Sequence, residues 1–172
     1  PPEDLLQQCL ESYAVLDPGT QTWTIKPHEY AAARQGNINE MKNIVEKIAA
    51  TFNVKQGGDY PVTWHTHKST DNPIYRFYIA ATAVIDRDAL TSVPENCQTI
   101  FLLPGSRAGL LKFKIDRDPW LRQQLGPGFH YVKFRTLRSL AARPDLSLEI
   151  FKVLIDSDPL SLEESTQLSM FR

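Results

Sequence analysis

The chain has 172 residues, 42% of them hydrophobic and 23% charged, and its net charge is −1. These values are typical of one folded domain whose core needs neither a metal nor a disulfide, and they exclude a disordered or collagen-like chain. The two cysteines form no CxxC pair and no apolar run is long enough to span a membrane, so we expect a cytoplasmic protein that contacts no membrane.

The two ends of the sequence bear on its domain organisation. It begins with PPEDLL, without an initiator methionine, and it ends with LSMFR. We therefore expect residues 1–172 to form a single domain that belongs to a longer protein. The rest of that longer chain would then be one of its partners.

The N-terminal third predicts helices. Residues 3–16 place leucines along one helical stripe, which a DPG turn ends, and QTWTIKP follows as a short extended piece. Residues 28–53 are mostly helical, and Gly36-Asn37 predicts a break into two helices. The second of these helices carries an apolar stripe that consists of Ile38, Met41, Ile44, Val45, Ile48 and Ala49.

Strands predominate in the middle of the chain. VTWHTH, NPIYRFYIAATAVI and QTIFLL each predict a strand, and the apolar runs indicate burial. In residues 111–115 apolar and basic side chains alternate, which favours a strand over a helix that would start at Ser106. From these patterns we expect one core that includes Ile44, Ile48, Phe77, Ile79, Val84, Ile100 and Leu102.

The C-terminal third alternates between helices and a strand. DPWLRQQL predicts a short helix with Asp118 as its N-cap, and FHYVKF predicts a strand. RTLRSLAA, SLEIFKVLID and DPLSLEESTQLSMF predict helices. The order of elements predicts an α/β (α+β) fold: a mixed central β-sheet of about four to six strands, flanked by helices, with the N- and C-terminal helices packed on the sheet.

Basic residues are concentrated between residues 105 and 143. This segment has nine basic residues against two acidic ones, whereas the rest of the chain has ten basic and eighteen acidic residues. Because elements adjacent in sequence are usually adjacent in space, we expect these charges to converge and attract anions, although an ordinary solvated surface is the alternative. The predicted nucleic-acid-binding residues are Lys112, Lys114, Arg117, Arg122, Tyr131, Lys133, Arg135 and Arg138. Of these, Tyr131, Lys133 and Arg135 would form the outer face of a strand.

Three other groups could carry chemistry. His65 and His67 would share one face of a strand and could hold zinc or iron, but no third ligand stands at a recognisable spacing. We therefore predict no metal and no cofactor. Cys97 is predicted to be a small core residue. The acids of the two IDRD segments are predicted to form local salt bridges and caps; these are Asp86, Asp88, Asp116 and Asp118.

The order of elements in residues 37–135 resembles the core of the PD-(D/E)xK nucleases, the restriction-endonuclease-like fold. The resemblance implies a helix over residues 37–52, three antiparallel strands in VTWHTH, YRFYIAATAVI and TIFLL, a helix that contains DPWLRQQL, and a last strand in HYVKF. The family's metal site needs an acid on the second strand and E-x-K or D-x-K on the third, and this sequence has neither. The resemblance therefore implies a degenerate, non-cleaving copy that binds nucleic acid or holds a complex together.

These observations predict a non-catalytic domain that contacts the phosphate backbone of DNA or RNA through residues 105–143. Two alternatives stay open. One is a protein–protein docking module of a larger complex. The other is a metal-dependent hydrolase that uses His65 and His67.

Overall fold

The structure, a computed structural model, describes residues 2–66, 72–85, 87–91, 93–94, 96–126 and 128–157. Helices lie on both sides of a mixed sheet, which confirms the predicted α/β class. In chain order the elements are α1 (Pro2–Tyr13), β1 (Ala14–Asp17), β2 (Thr22–Ile25), a 3-10 turn (Pro27–Glu29), α2 (Ala31–Thr51), β3 (Lys55–Gly57), β4 (Val62–His65), β5 (Pro73–Ile79), α3 (Arg87–Thr91), β6 (Gln98–Leu103), α4 (Gly105–Arg117), α5 (Pro119–Gln124), β7 (Phe129–Lys133), α6 (Phe134–Ala141) and α7 (Leu148–Ser157).

Within the described residues, the main sheet has five strands in the order β3-β4-β5-β6-β7. The first three are antiparallel to one another, whereas β5, β6 and β7 are parallel. The parallel neighbours are joined by connections that contain α3, or α4 and α5, as parallel strands require. The predicted antiparallel pairing of YRFYIAATAVI with TIFLL is therefore wrong. The short edge strand β3 supplies the third antiparallel strand.

One face of the sheet packs against α2, α6 and α7. Fully buried Trp64 of β4 lies at its centre, with ring centroids 4.5 Å from Phe77 and 5.2 Å from Phe151. Of the predicted core, Ile48, Phe77, Ile79, Ile100 and Leu102 are buried together here, and Ile44 packs against them. Val84 is 65% exposed, because β5 ends at Ile79 and the chain leaves the sheet before residue 84.

The opposite face of the sheet packs against α4. Leu110 and Leu111 of this helix are buried against Leu103 of β6, and Cys9 and Tyr13 of α1 pack against the same cluster. The central strands are consequently covered on both faces. This is why their sequences are continuous apolar runs rather than alternating patterns.

Three predicted boundaries differ from the structure. Helix α2 is continuous across Gly36, because burial of its apolar stripe outweighs the cost of about 1 kcal/mol for glycine in a helix. Residues 105–117 form a helix, since Arg107, Leu110 and Leu111 share one buried side at helical spacing. Helix α1 ends at Tyr13, and Leu16 lies in β1.

Two further findings complete the fold. The last predicted helix, DPLSLEESTQLSMF, covers residues 158–171 and lies outside the described residues. Among the residues that are described, no helix has the length and apolar character needed to cross a membrane.

Candidate functional site

Four of the eight predicted binding residues lie on α4 and α5, the two helices joined by the turn at Asp118. Lys112, Lys114 and Arg117 belong to α4 and Arg122 to α5, and we call these four residues the α4–α5 corner. Asp118 fixes the turn between the helices, because its Oδ1 accepts a hydrogen bond from the backbone N–H of Leu121 at 3.1 Å. This is the predicted N-cap, and it holds the cations of the two helices at one corner.

Two of these cations are bonded to carbonyl oxygens and to no carboxylate within the described ranges. The Lys114 ammonium donates to the carbonyl of Ala83 at 2.9 Å, and the Arg122 guanidinium donates to the carbonyl of Asp116 at 2.6 Å. A carbonyl oxygen is neutral, so each bond orients the side chain and leaves its full positive charge. Such charges attract an anionic partner more strongly than charges already paired with a carboxylate.

The other two cations of the corner make surface ion pairs. Lys112 pairs with the carboxylate of Asp116 at 2.8 Å, one helical turn away. Arg117 lies 3.6 Å from a carboxylate oxygen of Asp4, and its guanidinium lies 4.0 Å from the centroid of the Phe113 ring. All four side chains of these ion pairs are between 45% and 58% exposed. Exposed pairs of this kind contribute about 0–1 kcal/mol, so phosphate could displace the carboxylates at little cost.

An amphipathic groove and an exposed aromatic side chain adjoin the corner. The groove has a volume of about 570 Å³, with Lys114 and Arg117 beside apolar side chains of Leu5, Phe113 and Leu121. Trp120, two residues before Arg122, is 43% exposed. Cations beside an accessible aromatic ring are the combination that holds single-stranded nucleic acid, through phosphate contacts and base stacking.

The remaining predicted residues do not join this corner. Arg135 and Arg138 lie on α6, which packs on the α2 side of the sheet, opposite α4. Both oxygens of the Glu40 carboxylate accept hydrogen bonds from Arg138, each at 2.7 Å, and this bonding lowers the pKa of Glu40. The expectation that all the basic residues converge on one face is therefore wrong.

The prediction that Tyr131, Lys133 and Arg135 form the outer face of β7 is also wrong. Lys133 is only 5% exposed, and the half-buried Tyr131 packs against the α4 side of the sheet, with its ring centroid 5.8 Å from that of Phe101. Burial raises the pKa of the Tyr131 hydroxyl well above its ordinary value. The reason is that residues 105–117 form a helix that covers this face, where the sequence had suggested another strand.

Arg107 has a structural role, although it belongs to the basic segment. Its side chain is fully buried and forms an ion pair with Glu29, which is buried in the 3-10 turn. It also donates to the carbonyl and the hydroxyl oxygen of Ser12, both at 2.5 Å, and its guanidinium lies 3.7 Å from the Tyr13 ring centroid. Arg107 thus joins α4 to α1 and the 3-10 turn, and its charge is compensated internally.

The histidines and cysteines give no catalytic arrangement in the described part of the chain. His65 Nε2 lies 2.8 Å from the Thr63 hydroxyl, while His67 lies outside the described residues, so the metal-site hypothesis stays untested. Across the described ranges, no three His, Cys, Asp or Glu side chains are grouped as a metal site requires. Cys97 is buried, as predicted for a core residue, and burial raises the pKa of its thiol.

Of the predicted salt bridges and caps, those formed by Asp116 and Asp118 are confirmed. Asp86 lies outside the described residues, and so does the side chain of Asp88. No protein-family model matches the chain, and neither a curated protein nor a solved structure matches it. The function has therefore to be inferred from the chemistry of the side chains themselves.

Proposed function

We propose that this domain binds the phosphate backbone of nucleic acid through the α4–α5 corner and does not cleave it. The observation that carries the proposal is the pair of charges on half-buried Lys114 and exposed Arg122, each bonded to a carbonyl and to no carboxylate of the described residues. Phosphate contacts position a protein without reading bases, so we expect binding that is insensitive to sequence. We propose the cytoplasm as the compartment, because both cysteines are free.

The strand arrangement supports the non-cleaving part of the proposal. If the nuclease-like resemblance holds, the helix and the antiparallel strands are α2 and β3, β4 and β5, followed by helix α3 and strand β6. In this assignment the second strand has the sequence VTWH and the third PIYRFYI. Neither strand contains an acidic residue, so a degenerate copy is what the resemblance implies here as well.

The proposal is tested by the salt dependence of binding. Fluorescence anisotropy of labelled duplex and single-stranded oligonucleotides of generic sequence would be measured between about 50 and 200 mM salt. With four phosphate contacts on duplex DNA, log affinity should fall with log salt at a slope near −3.6, a loss of about 100-fold over this range. The variant Lys114→Glu/Arg122→Glu should bind at least about tenfold more weakly at the lowest salt.

A matched control separates the corner from net charge. Lys47 of α2 and Lys152 of α7 are exposed and belong to helices on the other side of the sheet. The variant Lys47→Glu/Lys152→Glu makes the same change in charge, and we expect it to bind nearly as the wild type does. Equal losses in the two double variants, or no binding of the wild type at about 50 mM salt, would refute the proposed site.

Protein docking is a second candidate function, and it is favoured by a separate observation. Large apolar side chains are exposed on α1 and on the β1–β2 hairpin: Leu5, Leu6, Val15, Leu16 and Ile25. Such a group is typical of a surface that another protein covers. If this surface binds a second copy of the chain, sedimentation should show a dimer that Leu6→Asp/Ile25→Asp dissociates. A wild type that stays monomeric at about 100 μM, far above typical dimer affinities, would contradict that assignment.

A further inference from the structure

A cavity of about 630 Å³ lies between the first two turns of α2 and the segment that follows β5. Its polar lining comes from Arg34, Gln35, Tyr60 and Thr82, and much of its apolar lining comes from Ile38 and Ile85. It shares no lining residue with the α4–α5 corner. The cavity lies at the carboxyl end of β5, and crevices at the carboxyl ends of strands are where open α/β sheets bind their ligands.

Among the described residues, Arg34 is the charged residue of this lining, and no described side chain pairs with its guanidinium. Its side chain is half-buried, yet it makes no hydrogen bond or ion pair with any residue in the described ranges. By contrast, the guanidinium of fully buried Arg107 is bonded to Glu29 and that of Arg138 to Glu40. A partly desolvated cation without a partner is unfavourable for folding, which is why such groups are usually paired.

The residues around Arg34 on its own helix also supply no partner. The positions three and four residues away are Tyr30, Ala31, Asn37 and Ile38, and none is acidic. The side-chain amide of Gln35, the neighbouring polar group, donates to Asn39 at 3.0 Å. The arginine is therefore placed to receive an anion from the cavity rather than from the protein.

We propose that this cavity binds a small organic anion, with a carboxylate or phosphate group on Arg34 and an apolar body against Ile38 and Ile85. The volume lies within the range of about 300–1,000 Å³ that small-molecule sites occupy. A planar guanidinium matches both oxygens of such a group in a two-pronged hydrogen bond. The hydroxyl of Thr82 forms no hydrogen bond within the described part of the chain and supplies a further donor at the cavity.

The test uses two fluorescent probes that differ in charge. The first is 1-anilinonaphthalene-8-sulfonate, whose sulfonate stands in for the anionic group, and the second is neutral N-phenyl-1-naphthylamine. The wild type should bind the sulfonate probe saturably at one site. Arg34→Gln should weaken that binding by at least about tenfold, because a charged hydrogen bond is lost, and should leave the affinity for the neutral probe unchanged.

Two further variants control this experiment. Lys47→Gln removes a positive charge from an exposed position on the same helix and should change neither affinity. Ala80→Leu adds a larger side chain to the cavity lining and should weaken the binding of both probes. Unchanged sulfonate affinity in Arg34→Gln, or unchanged affinity for both probes in Ala80→Leu, would overturn the proposal. Loss of folding in Arg34→Gln would also overturn it, because it would show that Arg34 has a structural partner.

Discussion

The two ends of helix α4 carry basic side chains with opposite functions. Near its N-terminus Arg107 is fully buried and bonded to Glu29, whereas near its C-terminus Lys114 is half-buried and Arg117 is exposed. A count of charges along the sequence treats the three alike. The comparison shows that a basic residue can attract a partner only when the fold leaves its charge both accessible and uncompensated.

The C-terminal end of α4 also has a local reason to be basic. Lys114 and Arg117 lie in its last turn, where the helix dipole favours positive charge by about 0.3–1 kcal/mol. Arg122 lies near the end of the short helix α5 and is bonded to a carbonyl of α4 instead. Helix stability therefore accounts for part of the reason why the α4–α5 corner is basic. Binding assays measure how much the same charges contribute to the affinity for nucleic acid.

The largest effect is expected at the buried end of α4. Arg107→Met would leave the buried Glu29 carboxylate without its arginine partner, beside the exposed imidazole of His28, which should lower the free energy of unfolding by about 3–5 kcal/mol. Urea denaturation would measure this. Arg107→Met/Glu29→Leu should recover most of the loss, because the isolated charge is gone. A single variant that loses less than about 1 kcal/mol would show that the pair is not buried as described.

The next largest effect on stability should distinguish Lys133 from Arg135, two cations that the sequence analysis placed on one face of a strand. Lys133→Glu places a carboxylate at a position that is 5% exposed and should destabilise the fold by about 2 kcal/mol or more. Arg135→Glu, at an exposed position two residues later, should change stability by only about 0.5 kcal/mol. Thermal unfolding of the two variants makes the comparison, and similar melting temperatures would contradict the burial of Lys133.

At the exposed end of α4, substitution should separate stability from binding. Lys114→Gln/Arg117→Gln removes one half-buried and one exposed charge and should cost at most about 1 kcal/mol, mainly through the helix dipole. The same variant should weaken oligonucleotide binding. The slope of log affinity against log salt should become shallower by the equivalent of about two phosphate contacts. A large loss of stability with unchanged binding would reverse the roles assigned to the two ends of the helix.

The smallest effect concerns the pair between Glu40 and Arg138. Because the bond to Arg138 lowers the pKa of Glu40 below 4.5, its contribution is fully present above pH 4.5 and is lost as the pH falls through the folded-state pKa. Both side chains are more than 40% exposed, so the contribution should be under about 1 kcal/mol. Glu40→Gln should therefore be slightly less stable than the wild type at neutral pH and equally stable at strongly acidic pH. A difference in stability between the two proteins that persists at acidic pH would show that it does not come from the ionised Glu40 carboxylate.

The sequence predicts much of this fold because apolar runs have few ways to be buried. The strands VTWH, PIYRFYI and QTIFLL were found in this way, and burial on both faces accounts for their composition. Helix α4 was missed because Leu111, Phe113 and Ile115 imitate strand alternation over five residues. Its true stripe includes Arg107, which pattern recognition counts as polar.

The candidate sites were harder to predict because they depend on contacts that are remote in sequence. Nothing near Arg107 indicates that Glu29 neutralises it, and nothing near Lys133 indicates that a helix covers its strand. Arg34 carried a usable signal, since it has no acid one helical turn away in either direction. That signal is weak alone, and it gains meaning only from the cavity that the fold places beside it.

The three tryptophans occupy three different environments, so intrinsic tryptophan fluorescence can report on different parts of the protein. Trp64 is enclosed by aromatic rings and should emit at short wavelength until the core unfolds, whereas Trp120 is 43% exposed and precedes Arg122 by two residues. Red-edge excitation would select the emission of Trp120, which a stacked base should quench. Occupancy of the α4–α5 corner and integrity of the core could then be followed in one unlabelled sample.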